Sequence, residues 1–322
     1  MIFMNTNLKK LMRDFNTEQK CRDFLVRQRW NGQPVCPHCG YIKVYTIDKG
    51  KGFKCASPKC YKKFTVTVGT VMQASNIPLT TWLPAIYLIA SHKKGISSVQ
   101  LAKDLGVTQK TGWFMLHRIR EFMKENNPEM LSGIVESDET YMAKKFRSDY
   151  KGLSEEQIEA LQKDNFSQKN KGAVLGLAER ISGRIIVQAF DSNNRQNVQA
   201  AIKKNVKEDT MLFTDESNLY KSGLDKYNHM TVNHSRREWV RAGIIHTNNV
   251  EAFWSVMKRG VYGIYHQISF KHLQAYCNEF SYRYNSRKIS DGLRFELSLK
   301  NIEGRLTYKQ LVHGKGQENK EG

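Results

Sequence analysis

Apolar residues recur at helical spacing in some stretches of the chain and alternate in others. From 8 to 30, Leu11, Phe15, Cys21, Phe24, Leu25 and Trp30 form an irregular apolar stripe and predict a helix. Lys43–Ile47 and Gly52–Lys54 read as short strands joined by a glycine-bearing turn. Residues 64–71, Phe-Thr-Val-Thr-Val-Gly-Thr-Val, are rich in β-branched side chains and predict a further strand. Residues 79–92 predict a helix with Trp82, Ile86 and Ile89 inward, broken by Gly95. A short helix over Ser97–Leu105, a stop at Gly106 and a third helix over 109–124 have the pattern of a helix-turn-helix.

From about residue 131 the pattern changes. Ile134–Met142 is strand-like, and Ala173–Ala178 and Arg184–Phe190 flank Ser182-Gly183 as a β-hairpin. Val198–Asn205 predicts a helix and Met211–Thr214 a strand. Helices are predicted from about 249 and near 270–284, the latter with Leu273, Tyr276, Cys277 and Phe280 at helical spacing. Residues 144–171 are polar and read as an insertion with a short helix near Ser154–Leu161; the stretch after Val312 reads as a disordered tail. The expected organisation is a multi-domain α/β protein: an N-terminal helix and cysteine-bearing region (1–72), a helix-turn-helix domain (73–130), an α/β domain (131–300) and a C-terminal tail (301–322).

Charge narrows the partners. The formal net charge is +20 over 322 residues, and residues 1–70 hold 14 Lys and Arg against 4 Asp and Glu. An excess of this size favours a polyanion such as DNA. The basic residues form no single polybasic block, which argues against a membrane surface. There is no run of 18 apolar residues, and the apolar stretch in Met1–Lys10 is too short for a secretory signal, so a cytosolic location is expected. Six cysteines in such a setting read as metal ligands or buried thiols.

Four of them have metal-ligand spacing: Cys36-x2-Cys39, fifteen residues, then Cys55-x4-Cys60. Each pair can wrap one edge of a tetrahedron, which predicts a closed, structural zinc site. His38 lies inside the first turn and is expected to point outward; Cys21 and Cys277 read as buried small residues. The second helix of the helix-turn-helix includes Gln109, Lys110, Trp113, His117, Arg118 and Arg120. Its early residues are expected to face bases and its flanks phosphates.

Three acids lie where a catalytic metal could be held. Asp138 sits in Glu136-Ser137-Asp138-Glu139-Thr140-Tyr141, on one strand face with Glu136 and Thr140. Asp215 ends the run Met211–Thr214. Glu251 opens a helix and shares a face with Lys258, seven residues on. Each also has a plain structural explanation. Asp138 and Asp215 could be strand-end turn residues, and Glu251 could close a capping box with Asn248.

These segments together resemble bacterial insertion-sequence transposases that join an N-terminal zinc ribbon to an RNase H-like DDE domain. The resemblance rests on Cys-Pro-His-Cys-Gly at 36–40, Gly-Thr-Val at 69–71, Glu-Ser-Asp-Glu-Thr-Tyr at 136–141 and Thr-Asp-Glu-Ser at 214–217. It rests above all on His-Thr-Asn-Asn-Val-Glu-Ala-Phe-Trp-Ser-Val-Met-Lys-Arg-Gly at 246–260, with Tyr-His at 265–266 and Tyr-Arg-Tyr-Asn-x-Arg at 282–287. It implies that 131–300 is an RNase H-like catalytic domain with a mixed sheet. Asp138, Asp215 and Glu251 would hold two Mg²⁺ or Mn²⁺ ions for DNA cleavage and strand transfer, with Asn248 a rival third ligand. His246 and Asn248 would place the helix start or contact DNA, and Lys258 and Arg259 would bind phosphate. The partner would be double-stranded DNA, both element ends and target, bound by a homo-oligomer on the bacterial nucleoid. The alternative is a non-catalytic DNA-binding regulator or decayed transposase.

Overall fold

The computed structural model describes residues 6–125, 128–144, 154–163, 171–233, 236, 240–300 and 302–313. The chain forms two compact units: Met1–Met123 with Lys288–Gly322, and Lys124–Arg287.

In the first unit the expected N-terminal helix is two, α1 (Leu8–Asp14) and α2 (Glu18–Trp30). Thr17 accounts for the break: its hydroxyl accepts from Lys20 N–H and starts a second helix. β1 (Val44–Ile47), β2 (Gly52–Cys55) and β3 (Lys63–Phe64) form an antiparallel sheet. Phe53 and Phe64 on its inner face pack edge-on against Trp30. The strand expected over 64–71 ends at Phe64. Beyond it the backbone closes turns, Val68 N–H to Thr65 and Thr70 N–H to Thr67, and Gly69 takes φ 78°. Val66 and Val71 are buried there, so the β-branched side chains fill core rather than extend a ladder.

α3 (Leu79–Ser91), α4 (Ser98–Leu105) and α5 (Gln109–Phe122) follow as expected. Ser97 and Thr108 cap α4 and α5, and Gly106 ends α4 in the left-handed region. A Cβ on Gly112 would lie 2.9 Å from Ser98 O, so glycine allows α4 and α5 to cross closely.

The second unit is a mixed α/β domain. β4 (Ile134–Lys144), β5 (Lys171–Glu179) and β6 (Ile185–Phe190) run antiparallel. α6 (Glu155–Lys163) lies between β4 and β5 in sequence; 145–153 and 164–170, the rest of the expected insertion, lie outside the described residues. After α7 (Arg195–Asn205), β7 (Met211–Asp215) pairs parallel to β4, and β8 (Asn228–Val232) parallel to β7. The sheet order is β6-β5-β4-β7-β8. Val198, Ala201 and Ile202 of α7 cover one face, on Val135, Leu175, Leu177 and Leu212. α8 (Asn248–Gly260) and α9 (Leu273–Asn285) cover the other with Val250, Phe253, Trp254, Met257, Tyr276 and Phe280.

The chain then returns to the first unit. α10 (Asp291–Lys300) packs on α3, with Arg294 donating to Ala90 O at 3.0 Å, and α11 (Tyr308–His313) follows. Residues 288–300, expected at the end of the α/β domain, thus belong to the other unit. Of the tail expected over 301–322, residues 302–313 are folded instead, with Ile302, Leu306 and Leu311 buried and α11 among them; 314–322 lie outside the described residues. No described helix is long and apolar enough to cross a membrane.

Candidate active site

The four cysteines converge. Cys36 and Cys60 sulfurs are 3.9 Å apart, those of Cys39 and Cys55 3.6 Å, and all four lie within 4.8 Å of one another. A tetrahedral zinc with Zn–S near 2.3 Å needs sulfurs roughly 3.8 Å apart, so the cluster fits with little adjustment. His38 stays outside, its ring edge-on to Phe64, and Cys21 and Cys277 are buried elsewhere. With four protein ligands the zinc has no open position and serves structure. Such sites fold with their metal. Chelating zinc will therefore open residues 30–70 to limited proteolysis while Lys124–Arg287 stays protected; cleavage spread over the whole chain would contradict this.

The acidic site forms where β4 and β7 part. Their parallel ladder runs Ile134↔Met211, Val135↔Leu212, Glu136↔Phe213, then stops, while β4 continues alongside β5 to Lys144. Beyond Glu136 no described strand pairs with the β7-side edge of β4, and Asp215 ends β7. Oxygens of Asp138, Glu139 and Asp215 lie within 4.8 Å of one another. Asp138 faces α8, where the Trp254 indole N–H donates to Oδ2 at 2.9 Å. Gly176 pairs with Asp138 across β4–β5. A Cβ there would sit 2.7 Å from both Trp254 and Val250, so glycine is what lets the indole reach the carboxylate. Glu139 lies on the opposite strand face, beside Tyr220, whose hydroxyl is 3.1 Å from Ser137 Oγ. Its Oε1 is buried and has no hydrogen-bond partner among the described residues. Asp215 Oδ1 accepts from Ser217 N–H at 3.0 Å, so this acid also builds the turn after β7.

Glu251 is not one of the three clustered acids. It lies in the first turn of α8 and accepts from the Thr247 hydroxyl at 2.9 Å; its charge still reaches Asp138. The helix starts at Asn248, one residue after its N-cap Thr247, so Asn248 and Glu251 do not form the capping box.

Burial and neighbouring carboxylates raise the pKa of two of these acids. Burial, then the charge of Asp215, pushes the Asp138 carboxyl up to about 6; Trp254 opposes this and Glu251 adds to it. Burial pushes Glu139 up to about 8, with Asp215 and Asp138 adding and Tyr220 opposing. All-oxygen donors suit Mg²⁺ or Mn²⁺. With Mg–O near 2.1 Å, bound oxygens lie up to roughly 4.2 Å apart, so the cluster need contract only slightly. Both folded pKa values exceed the unfolded ones, about 4. Their contribution to stability is therefore present below pH 4 and lost as pH rises through 6 and 8. A bound cation offsets that loss, so Mn²⁺ will raise the melting temperature more at pH 8 than at pH 5.5. Scanning fluorimetry at the two pH values checks this; equal shifts would mean the ion sits elsewhere.

Glu136, expected on the Asp138 face of the strand, holds the helix start. Glu136 is 0% exposed. It accepts from Asn249 N–H and Asn249 Nδ2 at 2.7 Å, Val250 N–H at 3.2 Å and Arg180 Nε at 2.6 Å. It thus satisfies backbone donors at the N-terminus of α8 and suits the helix dipole. Arg180 also donates to Ile244 O and His246 O, and to His246 Nδ1 at 2.9 Å. Because Nδ1 accepts from arginine, His246 is no ion partner of Glu136 despite a 3.3 Å approach.

The remaining candidates divide. Lys258 is half-buried on α8; Arg259 is exposed and donates to Ser255 Oγ; Asn248 is exposed at the helix start. His246 lies in the Glu136–Arg180 network and so helps set that start. Lys110 is exposed near the start of α5, 5.2 Å over the Tyr308 ring. Arg118, expected to face phosphate, is instead 3% exposed, donating to Leu306 O and Gln73 O beneath Phe114. His117 and Arg120 are likewise buried. This half of α5 packs inward, and its exposed residues, Gln109 and Lys110, lie in its first turn.

Residues 130–285 match the ISXO2-like transposase domain family, and residues 16–63 match the transposase zinc-ribbon domain family. An uncharacterized protein in transposable element ISH50 of Halobacterium salinarum is 25% identical over 259 residues, spanning 77% of this chain and 84% of its own length. A chain in the structure of the simian T-cell lymphotropic virus intasome in complex with PP2A regulatory subunit B56 gamma overlaps 56% of this chain. This chain covers 63% of that one, at 11% identity and a TM-score of 0.28, an overlap too weak to carry a conclusion.

Proposed function

Because the chain belongs to the insertion-sequence transposases that join a zinc ribbon to an ISXO2-like transposase domain, we propose that it cuts DNA at the ends of a mobile element and joins the freed 3′-hydroxyl to target DNA. The supporting observation is the meeting of Asp138, Glu139 and Asp215 at the open edge between β4 and β7, inside the matched domain. Asp138 and Asp215 would hold two Mg²⁺ or Mn²⁺ ions, with Glu139 as a close third acid and Glu251, whose charge reaches Asp138, on α8. When bound, the ions supply Lewis acidity that activates the attacking hydroxyl or water and stabilises the leaving oxygen.

The protein's own part is placement. Trp254 holds the Asp138 carboxylate in one orientation, and the Ser217 N–H holds Asp215. Glu136 and Arg180 fix where α8 begins, hence where Glu251 and Lys258 stand. Lys258 and Arg259 lie along α8 to hold a DNA phosphate, and Lys110 on α5 would meet the duplex of the element end. Transposition joins two ends, so the working form is a homo-oligomer on DNA in the bacterial cytoplasm. The test is a labelled element-end duplex incubated with target DNA and Mg²⁺ or Mn²⁺. Joined products support the proposal. Hydrolysis alone would reduce the protein to a nuclease, and binding without any product would make it a DNA-binding regulator.

A further inference from the structure

The outer face of the ribbon sheet carries a row of side chains that the fold does not use. The register aligns Tyr45 with Lys54 and Lys54 with Lys63, so the three stand abreast across all three strands. The inner face, with Phe53 and Phe64, is the one that packs. Tyr45 is 54% exposed. Tyr61 is equally exposed, and Lys54 Nζ lies 5.7 Å over its ring. Tyr61 also sits at φ 49°, where glycine or asparagine is the low-strain choice, and its ring in solvent gains little burial to offset that strain. From Tyr41 to Lys63 seven lysines stand against the single acid Asp48. An ordinary solvated surface would account for the lysines but not for the exposed rings among them.

We propose that this face binds an unpaired DNA strand, with bases stacked on Tyr45 and Tyr61 and phosphates held by Lys54 and Lys63. The inference rests on the reading that DNA is the partner and adds which form of DNA this face takes. Three strands about 4.8 Å apart, with side chains standing on them, make a platform too broad for a minor groove about 6 Å wide. Aromatic platforms beside cations are how unpaired strands are held, because every base has a π-face. A reaction that cuts DNA ends creates such strands, since terminal nucleotides next to a nick can fray.

Fluorescence anisotropy with the full-length, zinc-loaded chain tests this, using labelled oligothymidylate and a duplex of equal length. Tyr45→Ala and Tyr61→Ala should each weaken oligothymidylate binding roughly 5- to 150-fold and leave duplex affinity unchanged. Tyr45→Phe should bind like the parent, because stacking needs the ring and not the hydroxyl. Lys54→Ala with Lys63→Ala should lower the single-strand salt slope by about 1.4. Zinc content and melting temperature of each variant identify any loss that comes from unfolding. Equal losses on both DNA forms, or no loss on the single strand, overturn the proposal. Strand joining by the same parent preparation would in that case leave the transposase reading standing.

Discussion

Asp138→Asn will abolish metal-dependent strand joining, by at least about 10³-fold, while the protein stays folded. The two effects separate because Asp138 does two jobs. As a carboxylate it supplies charge to the acidic site; as an acceptor it takes the Trp254 indole N–H. Asparagine keeps an acceptor oxygen for the indole and loses the charge. Losing one metal-binding carboxylate removes several kcal/mol of transition-state stabilisation, and about 1.4 kcal/mol is tenfold in rate. Stability should move the other way. The Asp138 carboxyl is pushed up to about 6, so above that pH the metal-free parent carries an ionised group its fold disfavours. The variant is neutral there and should gain on the order of 1–2 kcal/mol at pH 8, after allowance for the solvent that reaches this half-buried side chain. Joining assays and thermal melts at pH 8 without metal check both halves. Activity within tenfold of the parent would remove this acid centre from the reaction.

Local pattern made much of this structure legible. Alternation and helical spacing located β4, β7, α3, α4, α5 and α9, and the cysteine spacing located the metal knuckle. What pattern could not carry was which neighbour each side chain meets. Residues 64–71 have strand composition, yet past Phe64 the only pairing among the described residues is the isolated bridge Thr70↔Glu303, so the backbone turns and the valines fill core. Arg118 looks like a phosphate ligand by residue type, yet its guanidinium is used on two carbonyls far away in sequence. Glu139 escaped notice because strict alternation sends it to the face opposite Asp138. It reaches the same cluster only because β4 outruns β7 at that point. Gly176 and Trp254 are 78 residues apart, and only the folded register shows that the absence of a side chain at one makes room for the other. Glu136 reads as a second acid on the Asp138 face, and nothing local says that its partners lie more than 40 residues away.

The second large effect concerns that residue. Glu136→Gln will destabilise the Lys124–Arg287 unit by about 3–5 kcal/mol, lowering its melting temperature by about 10 °C, and will weaken Mn²⁺ binding even well below the transition. All four groups around the carboxylate are donors: two backbone N–H groups of α8, the Asn249 amide and the Arg180 guanidinium. Glutamine offers one acceptor oxygen and one NH₂, so at least one donor faces another donor in a site with no solvent. Arg180 is left facing a neutral group at the same time. The start of α8 then loosens, and Trp254, Glu251 and Lys258 loosen with it. A double variant, Glu136→Gln with Arg180→Met, separates two roles. If the carboxylate only balanced the arginine charge, removing both would restore most of the stability. If it caps the helix, the N–H groups of Asn249 and Val250 remain without a carboxylate, and the double variant stays destabilised and binds Mn²⁺ weakly. Thermal melts and Mn²⁺ titrations on the three proteins decide this, and a Glu136→Gln melting temperature within 2 °C of the parent would mean that α8 is held in place by its apolar face alone.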